Sequence, residues 1–308
     1  IVRICNLGSL NIDRVYGVEH FVSAQETVLA TKYERFLGGK GLNQSIALAR
    51  SGGTVFHAGA IGPDGMSLRQ LLEENGVDTR YLKDTHAASG HAIIQVNASG
   101  QNCIIVSRGA NAEILPEDID RILSDFGQAD LLLLQNEISN VDYAIQAAKA
   151  RGMSVAFNAA PVTPELHTYP IDLVDYLIVN EVEGLSLLGT EACGEESLLH
   201  SLCRKYPSVT VILTVGEKGS YWGQGDEMLH QEIYPVSVVD TTAAGDTFCG
   251  YFITSIAKGK CPKEALRIAS LASSLAIGQK GAACSIPTMQ EVTAFGQSKG
   301  IPSEWLIG

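Results

Sequence analysis

Residues 130–158, DLLLLQNEISNVDYAIQAAKARGMSVAFN, contain the pattern that decides the fold. Asp130–Gln135 is a short, continuous apolar run, which is typical of a strand covered on both faces. Asn140–Arg151 has apolar residues at helical spacing and stops at Gly152, and Met153–Asn158 predicts a second strand. Buried strands that alternate with helices in this way predict a parallel sheet.

The same alternation continues on both sides of this segment. Further predicted strands are Ile1–Leu7, Thr54–Ile61, Asp175–Asn180, Val209–Val215 and the strand-like run Tyr234–Val239. Further predicted helices are Gly41–Ser51, Gly65–Asn75, Glu181–Leu188, Glu195–Tyr206, Gly245–Lys258, Lys263–Gln279 and Met289–Ser298. We therefore predict an α/β fold, with a doubly wound and mostly parallel sheet flanked by helices.

Two stretches, at about residues 12–37 and 88–108, lack helical spacing. His91–Val96 and Asn102–Ser107 flank a turn of small residues, which predicts a hairpin. Both stretches lie beside glycine-rich segments. We therefore predict one domain over residues 1–308, with a small β-sheet lid inserted above a site at the carboxyl ends of the parallel strands.

The composition excludes several classes of protein. The 308 residues carry 22 Lys and Arg against 34 Asp and Glu, a formal net charge of −12 at pH 7. Nucleic acid and anionic membrane surfaces are therefore not expected partners, since both need clustered basic residues. Hydrophobic residues make up 45% and charged residues 18%, which indicates a folded chain. No apolar run approaches the ~20 residues of a membrane span.

The cysteines indicate a compartment. There are seven, an odd number at wide spacing, and no C-x-x-C occurs. This pattern argues against a disulfide framework or a zinc site, and we predict a cytoplasmic protein. We expect Cys249 to be a buried packing residue and His57, His86 and His91 to be structural.

The segment Val239–Phe248, VDTTAAGDTF, carries the strongest chemical signal. Free N–H groups at a helix start form an anion site, and the small residues Ala243, Ala244 and Gly245 let a ligand approach the backbone. An Asp in the first helical turn is usually only a cap. Here Asp246 directly follows the anion site, which is the arrangement that phosphoryl transfer to a hydroxyl needs: a base beside amides that hold the transferring group.

A second segment, Gly38–Ser45 (GGKGLNQS), is rich in glycine but does not match the Walker phosphate loop. One interpretation is a glycine turn that begins the following helix. The other is close binding of a polyol, because Asn43 offers both a donor and an acceptor to a vicinal diol.

A third segment, Leu7–Asp13 (LGSLNID), follows the first strand. Asn11 and Asp13 are two residues apart and would point the same way on an extended chain. They form either an Asx turn or a second group of diol contacts.

Together these segments resemble the ribokinase-like (PfkB) family of carbohydrate kinases, over about residues 2–296. The GGKGLN and DTTAAGDTF segments match the two signature regions of that family. Supporting matches are Asn180–Glu183 to N-x-x-E, Thr214–Gly219 to T-x-G-x-x-G, and Gly109–Asn111 to a G-A-N stretch. The resemblance implies ATP-dependent phosphorylation of a primary hydroxyl, with D-ribose at O5 as the first candidate. The alternatives are 2-deoxyribose, fructose, adenosine, pseudouridine, or a non-catalytic sugar sensor.

The resemblance also implies a role for each matching residue. Asp246 matches the catalytic base, and its N–H with Ala243, Ala244 and Gly245 matches the anion hole. The matching sugar contacts are Asn11, Asp13, Gly39, Lys40, Asn43, Glu137 and Asp246.

Three cofactors follow from the same resemblance: ATP, Mg²⁺ and a monovalent cation, usually K⁺. Asn180 and Glu183 match the pair that organises Mg²⁺ and the phosphates, largely through water. Thr214, Gly216 and Gly219 match the ATP-binding turn. The positions that match the monovalent cation site are Asp240, Thr242, Ala276, Gln279, Gly281 and Ser285.

The chain departs from the family pattern at three places that bear on the sugar. Residues 158–161 read N-A-A-P where N-P-A-P is frequent. Asn136 stands where a small apolar residue is usual, and Ser89-Gly90 stands where Thr-Gly is more common. The departures leave the expected reaction unchanged. The resemblance further implies a homodimer through the lid strands, since an uncovered small sheet exposes its edges.

Overall fold

The strands divide into two sheets in the computed structural model, which describes residues 1–190 and 194–302. In chain order the strands of the described part are β1 (Arg3–Leu7), β2 (Asn11–Gly17), β3 (Lys32–Gly38), β4 (Thr54–Ile61), β5 (Asp78–Asp84), β6 (Gly90–Val96), β7 (Asn102–Ser107), β8 (Leu131–Gln135), β9 (Ser154–Asn158), β10 (Tyr176–Asn180), β11 (Thr210–Thr214), β12 (Ser220–Gln224) and β13 (Glu227–Gln231). The main sheet has the order β13-β12-β11-β10-β9-β8-β1-β4-β5, and the lid sheet has the order β3-β2-β6-β7.

Helices cover both faces of the main sheet. They are α1 (Lys40–Arg50), α2 (Met66–Glu74), α3 (Pro116–Leu123), α4 (Val141–Ala150), α5 (Glu181–Leu188), α6 (Glu195–Lys205), α7 (Ala244–Ala257), α8 (Pro262–Ile277) and α9 (Met289–Ser298). Helices α3 to α6 share one hydrophobic core with the sheet, and the others share a second core. Strand β8 joins both cores, because Leu132 and Leu134 lie in one and Leu131 and Leu133 in the other. Each buried leucine contributes about 1.5–3 kcal/mol.

Strand β1 lies where the strand order reverses. The parallel strands β4 and β5 follow on one side of it, and the parallel strands β8 to β11 follow on the other. Open α/β sheets bind ligands at the carboxyl ends of the strands at such a point. The chain leaves β1 at Gly8 and leaves β8 at Asn136, so the segments with predicted sugar contacts begin at this position.

The predicted fold class is confirmed: the main sheet is mostly parallel, and a small four-stranded sheet adjoins it. The bounds predicted for β4, α5 and α9 agree with the structure, and most others differ by one or two residues. The sequence patterns did not identify β5, α3, β12 or β13. Among the described strands of the main sheet, the antiparallel pairs are β11 with β12 and β12 with β13, at one edge.

The predicted strand at Tyr234–Val239 is wrong, since this segment has no regular secondary structure. Pro235 removes a backbone donor, and none of the strands in the described part of the chain pairs with the segment. Its amides instead bond to α8: Tyr234 N donates to Ser274 Oγ at 3.3 Å, and Val239 N donates to Ile277 O at 2.8 Å. The segment therefore fixes the approach to α7 by contacts with a helix.

The lid sheet contains the predicted hairpin, β6 and β7, which pair antiparallel. Strand β2 connects the hairpin to β3, pairing parallel with β6 and antiparallel with β3. Apolar side chains of β7 are open to solvent: Ile104, Ile105 and Val106 are 50–62% exposed. In the described part of the chain, no helix is both long and apolar enough to cross a membrane.

Candidate active site

Asp246 lies in the first turn of α7 and is buried. Ala243 caps this helix in the left-handed conformation, with φ of 60°. Within the described residues, the N–H groups of Ala243, Gly245 and Asp246 have no backbone acceptor. The Ala244 N–H differs, since it donates to Thr241 O at 3.2 Å. The predicted anion hole therefore has three available amide donors beside the carboxylate.

Two side chains from α1 hold the Asp246 carboxylate. Asn43 Nδ2 donates to Oδ2 and Gln44 Nε2 donates to Oδ1, each at 2.9 Å. Asn43 Oδ1 is buried and has no hydrogen-bond partner in the described structure. A buried acceptor without a partner costs free energy, and a sugar hydroxyl could satisfy it. Asn43 thus bonds to the candidate base and has a buried oxygen that remains unused within the described structure.

The start of α1 packs directly on the loop after β1. Gly39 has φ of 98°, which favours glycine. A Cβ atom on Gly41 would lie 2.4 Å from Ser9 N and 2.5 Å from Gly8 C, so only glycine allows this approach. Glu137, from the loop after β8, accepts from Lys40 N at 3.1 Å and from Ser9 Oγ. Residues of the Gly38–Ser45 and Leu7–Asp13 segments therefore meet at Glu137.

Asn11 and Asp13 lie at the start of β2, an inner strand of the lid sheet. Asn111 orients Asn11, since its Nδ2 donates to Asn11 Oδ1 at 2.8 Å and its Oδ1 accepts from Leu10 N. A Cβ on Gly90 would lie 2.0 Å from Asn111 Nδ2, so a larger residue there would displace the pair. Burial, and then the nearby Glu137, raise the pKa of Asp13 to about 6.

Lys40 lies among the carboxylates of the site. The negative charge of Asp246 is the largest influence on the Lys40 amine, and Glu137 and Glu183 add to it, so its pKa is raised although burial opposes the shift. The amine therefore stays charged at neutral pH. Lys40 therefore interacts both with Glu137, a predicted sugar contact, and with Glu183 of α5, a predicted phosphate residue.

Asn180 and Glu183 form a capping box at the start of α5. Asn180 Oδ1 accepts from Glu183 N at 3.0 Å, and Glu183 Oε2 accepts from Asn180 N at 2.7 Å. These bonds give both residues a structural role. Burial raises the pKa of Glu183, and Lys40 acts against this shift. Among the described residues, no group of three or more His, Cys, Asp or Glu side chains could hold a metal.

The predicted ATP turn joins β11 to β12. Gly216 has φ of 54° and Gly219 has φ of 92°. A Cβ on Gly219 would lie 2.1 Å from Gln231 O, whereas Gly216 has open space above it. Thr214 ends β11 beside Asn180, which ends β10, and the two residues are paired in register. The turn therefore lies next to the capping box.

The predicted cation positions lie in the loop before α7, at the end of α8 and in the loop that follows α8. Asp240 Oδ1 accepts from Thr242 N at 2.9 Å and Thr242 Oγ1 at 2.6 Å, and Asp240 Oδ2 accepts from Gly281 N at 2.9 Å. Burial acts to raise the pKa of Asp240, but these hydrogen bonds lower it overall. Ala276 O accepts from Gln279 N at the end of α8, and Ser285 is buried and donates to Ala282 O.

Several residues beneath Asp246, three of them fully buried, were not identified from the sequence. They are Asn6, Gln44, Gln135 and Asn158, which form a connected set of side-chain amides. Asn6 and Gln135 stand within apolar runs predicted as strands, at β1 and β8. A polar residue with no exposed surface in such a run is a signal that could have found them, because buried amides need partners.

Of the side chains expected to be structural, Cys249 and His57 are fully buried, His91 is half-buried and His86 is exposed. Cys249 is fully buried, and burial raises the pKa of its thiol well above the usual value. His57 is also fully buried, and burial lowers its pKa to about 3, so the ring is neutral.

The site places a buried carboxylate beside available helix amides. It lies at the strand-order reversal of an α/β sheet and next to a β lid. This arrangement is that of a phosphotransferase that acts on a hydroxyl. The profile described as pfkB family carbohydrate kinase matches residues 3–289. The chain belongs to this family and is a carbohydrate kinase.

Similar proteins agree with this assignment. A ribokinase of Bacillus subtilis is 37% identical over 295 residues, which cover 94% of this chain and 98% of the relative. The structure of a ribokinase from Cryptococcus neoformans in complex with ADP has a TM-score of 0.85, at 33% identity over 96% of this chain and 99% of that one. The structure of Arabidopsis thaliana ribokinase complexed with ribose and ATP has a TM-score of 0.84, at 30% identity over 96% and 98%.

Proposed function

We propose that this kinase transfers the γ-phosphoryl group of ATP to O5 of D-ribose and forms D-ribose 5-phosphate. The observation that carries the proposal is the Asp246 carboxylate, buried and held by Asn43 and Gln44 beside three available amide donors. The similarity to ribokinases over nearly the whole chain supports ribose as the substrate.

In the proposed mechanism, Asp246 takes the proton of the attacking hydroxyl as the new oxygen–phosphorus bond forms, while the bond from the γ-phosphorus to the bridging oxygen breaks and ADP leaves. The amides of Ala243, Gly245 and Asp246 stabilise the charge that develops on the transferring group. Asn11, Asp13, Asn43 and Glu137 hold the other hydroxyls, and closure of the lid excludes water. Lys40 offsets the negative charge of the surrounding carboxylates.

The nucleotide occupies the turn at Thr214, Gly216 and Gly219 in this proposal. Glu183 Oε1 is not used by the capping box, which leaves an oxygen for a hydrated Mg²⁺ near the phosphates. When bound, Mg²⁺ neutralises phosphate charge. We further propose that the chain is one domain, since both lid segments are inserted between elements of the main sheet.

The test is ADP release measured with ATP and Mg²⁺ against ribose, 2-deoxyribose, fructose, adenosine and pseudouridine. Turnover on ribose well above the others is the expected result. If the protein prefers another compound of the panel, the proposed mechanism still holds, and the substrate specificity is assigned to the lid. If no compound in the panel gives turnover, the ribose assignment fails and an untested polyol or a sugar sensor replaces it.

Asp13 gives the proposal a pH dependence. With its pKa raised to about 6, Asp13 becomes protonated as the pH falls below that value, and a protonated carboxyl accepts fewer hydrogen bonds from a diol. We expect KM for ribose to rise several-fold, about 3–10-fold, between pH 7.5 and 5.5. Asp13→Asn should raise KM at all pH values and remove much of this slope. Equal slopes for both proteins would contradict the role of Asp13.

The oxygen-rich junction of the 240 and 281 loops fits a monovalent cation, as carboxylate, hydroxyl and carbonyl ligands are all present. Asp240, Thr242 and Gly281 are joined by hydrogen bonds, and Ala276, Gln279 and Ser285 lie on the adjoining elements. A bound cation would steady the loop that carries the anion hole. We expect K⁺ to raise kcat roughly tenfold over tetramethylammonium, because a displaced anion-hole donor is costly. Asp240→Asn should weaken this stimulation, and a cation-independent rate would contradict the site.

Two further proposals concern assembly and location. We propose a homodimer formed through the lid strands, supported by the exposed apolar side chains of β7. Sedimentation of the protein measures its oligomeric state, and a monomer at high protein concentration would contradict the proposed dimer. We also propose a cytoplasmic location, supported by the six cysteines of the described residues, all of which are unpaired.

A further inference from the structure

A set of side-chain amides, three of them fully buried, lies directly beneath the candidate base. Gln44 in α1 has no exposed surface, and its Nε2 donates to Asp246 Oδ1 at 2.9 Å and to Asn158 Oδ1 at 3.0 Å. Its Oε1 accepts from Gln135 Nε2 at 2.7 Å. Gln135 Nε2 also donates to Asn6 Oδ1 at 2.8 Å. Side chains of β1, β8, β9 and α7 are thus connected through one glutamine.

The network fixes which end of the Gln44 amide faces Asp246. Asn158 Nδ2 donates to Ile178 O at 3.1 Å, so Asn158 presents its oxygen to Gln44. A flipped Gln44 amide would place an oxygen against both the Asp246 carboxylate and the Asn158 oxygen. It would also place its NH₂ group against the NH₂ group of Gln135. Hydrogen bonding therefore allows a single orientation, with the donor toward the base.

Asn43 and Gln44 each donate a hydrogen bond to a different oxygen of the Asp246 carboxylate. Asn43 holds Oδ2 and presents an unpartnered buried oxygen toward the expected sugar. Gln44 holds Oδ1, and all of its own polar atoms are used within the protein. Because Gln44 has no exposed surface, it has no direct contact to offer a sugar.

We propose that Gln44 is a positioning residue for phosphoryl transfer, an inference that rests on the proposed role of Asp246 as base. Its N–H prevents rotation of the carboxylate and aims the remaining lone pairs at the attacking hydroxyl. A neutral amide donor holds the oxygen without giving up its hydrogen. Asp246 therefore remains the acceptor of the hydroxyl proton, while Gln44 controls where that acceptor points.

The first test is Gln44→Met, which keeps a similar shape and removes both donors. We expect kcat to fall about 10–100-fold, since a hydrogen bond to a charged group is lost, while KM for the best sugar stays within about threefold. Ser45→Ala is the matched control. Ser45 is the next residue of α1, is equally buried, and bonds to Asn6 and His57 but not to Asp246. The control should lose stability and keep its kcat.

The second test is Gln44→Glu, which distinguishes positioning from a merely structural role. Two carboxylates at this separation cannot both be charged, so the pair will hold one proton at lower pH. The protonated glutamate can then donate to Asp246 as the amide does. We expect the activity of this variant, relative to wild type, to be lowest near pH 8 and to recover as the pH falls toward about 6. A merely structural defect would give a ratio that does not change with pH.

The outcomes separate this inference from the proposed function. If the wild-type protein is active and Gln44→Met has an unchanged kcat, the positioning role is overturned and the kinase assignment is left intact. The same holds if Ser45→Ala loses as much kcat at equal loss of thermal stability. If Gln44→Met does not fold, the pH profile of Gln44→Glu decides, and a flat ratio overturns the proposal. Wild type that turns over no sugar in the panel overturns both proposals.

Discussion

Asp246→Asn is expected to lower kcat about 10²–10⁴-fold while the protein still binds its sugar. The substituted amide has nearly the same shape, so the packing of α7 on α1 is kept. It cannot take the hydroxyl proton, because an amide is not a base at neutral pH. Its NH₂ group would also face a donor, Asn43 Nδ2 or Gln44 Nε2, which misaligns the side chain. Coupled ADP release gives kcat, and titration calorimetry with ribose gives the affinity.

A matched control is available at Asp226, an exposed residue in the turn between β12 and β13. Asp226→Asn makes the same chemical change far from the sheet's strand-order reversal and should leave kcat within about twofold, as exposed substitutions usually do. A loss of less than tenfold in Asp246→Asn, with the control normal, would falsify the assignment of Asp246 as the base. A loss of sugar binding together with activity would instead indicate a damaged site.

Most of the main sheet could be predicted because its inner parallel strands are largely buried and follow or precede a periodic helix, whereas β5, which is only partly buried, was not identified. Leu131–Gln135 is a clear example, since its residues alternate between two cores and none is exposed. The antiparallel edge was not predicted. Glu227–Gln231 is mostly open to solvent, so its sequence carries no continuous apolar run. Tyr234–Val239 has the opposite problem: its alternation resembles a strand, but the neighbour it contacts is a helix.

The site was predictable where chemistry depends on local spacing. The helix start at Ala243–Asp246 and the glycine turn at Gly39–Gly41 can be seen in the sequence because a positive φ or a free amide needs particular residues nearby. Gln44, Gln135 and Asn158 could not be assigned this way. Their hydrogen bonds join residues 91 and 114 positions apart, and only the packing of β8, β9 and α1 brings them together.

Gly41→Ala is expected to damage both stability and sugar binding. An added Cβ would lie 2.4–2.5 Å from backbone atoms of Gly8 and Ser9, and backbone cannot move aside as a side chain can. The start of α1 must therefore shift away from the loop after β1. The shift would strain the bonds from Leu42 N to Ser9 O and from Gly41 N to Ser9 Oγ, at 3.0 and 3.2 Å. Overpacking of this kind costs about 1–3 kcal/mol.

The same shift displaces Lys40 and Asn43, which follow the movement of the helix start. Because a displacement near 1 Å costs on the order of 10²-fold, we expect kcat/KM for ribose to fall roughly 100-fold. Gly127→Ala is the control, since its Cβ would meet no atom within 4 Å. Thermal unfolding and steady-state kinetics measure the two effects. Normal stability and normal kinetics in Gly41→Ala would show that the start of α1 tolerates displacement. The close contact between α1 and the loop after β1 would then not orient the residues proposed to bind the sugar.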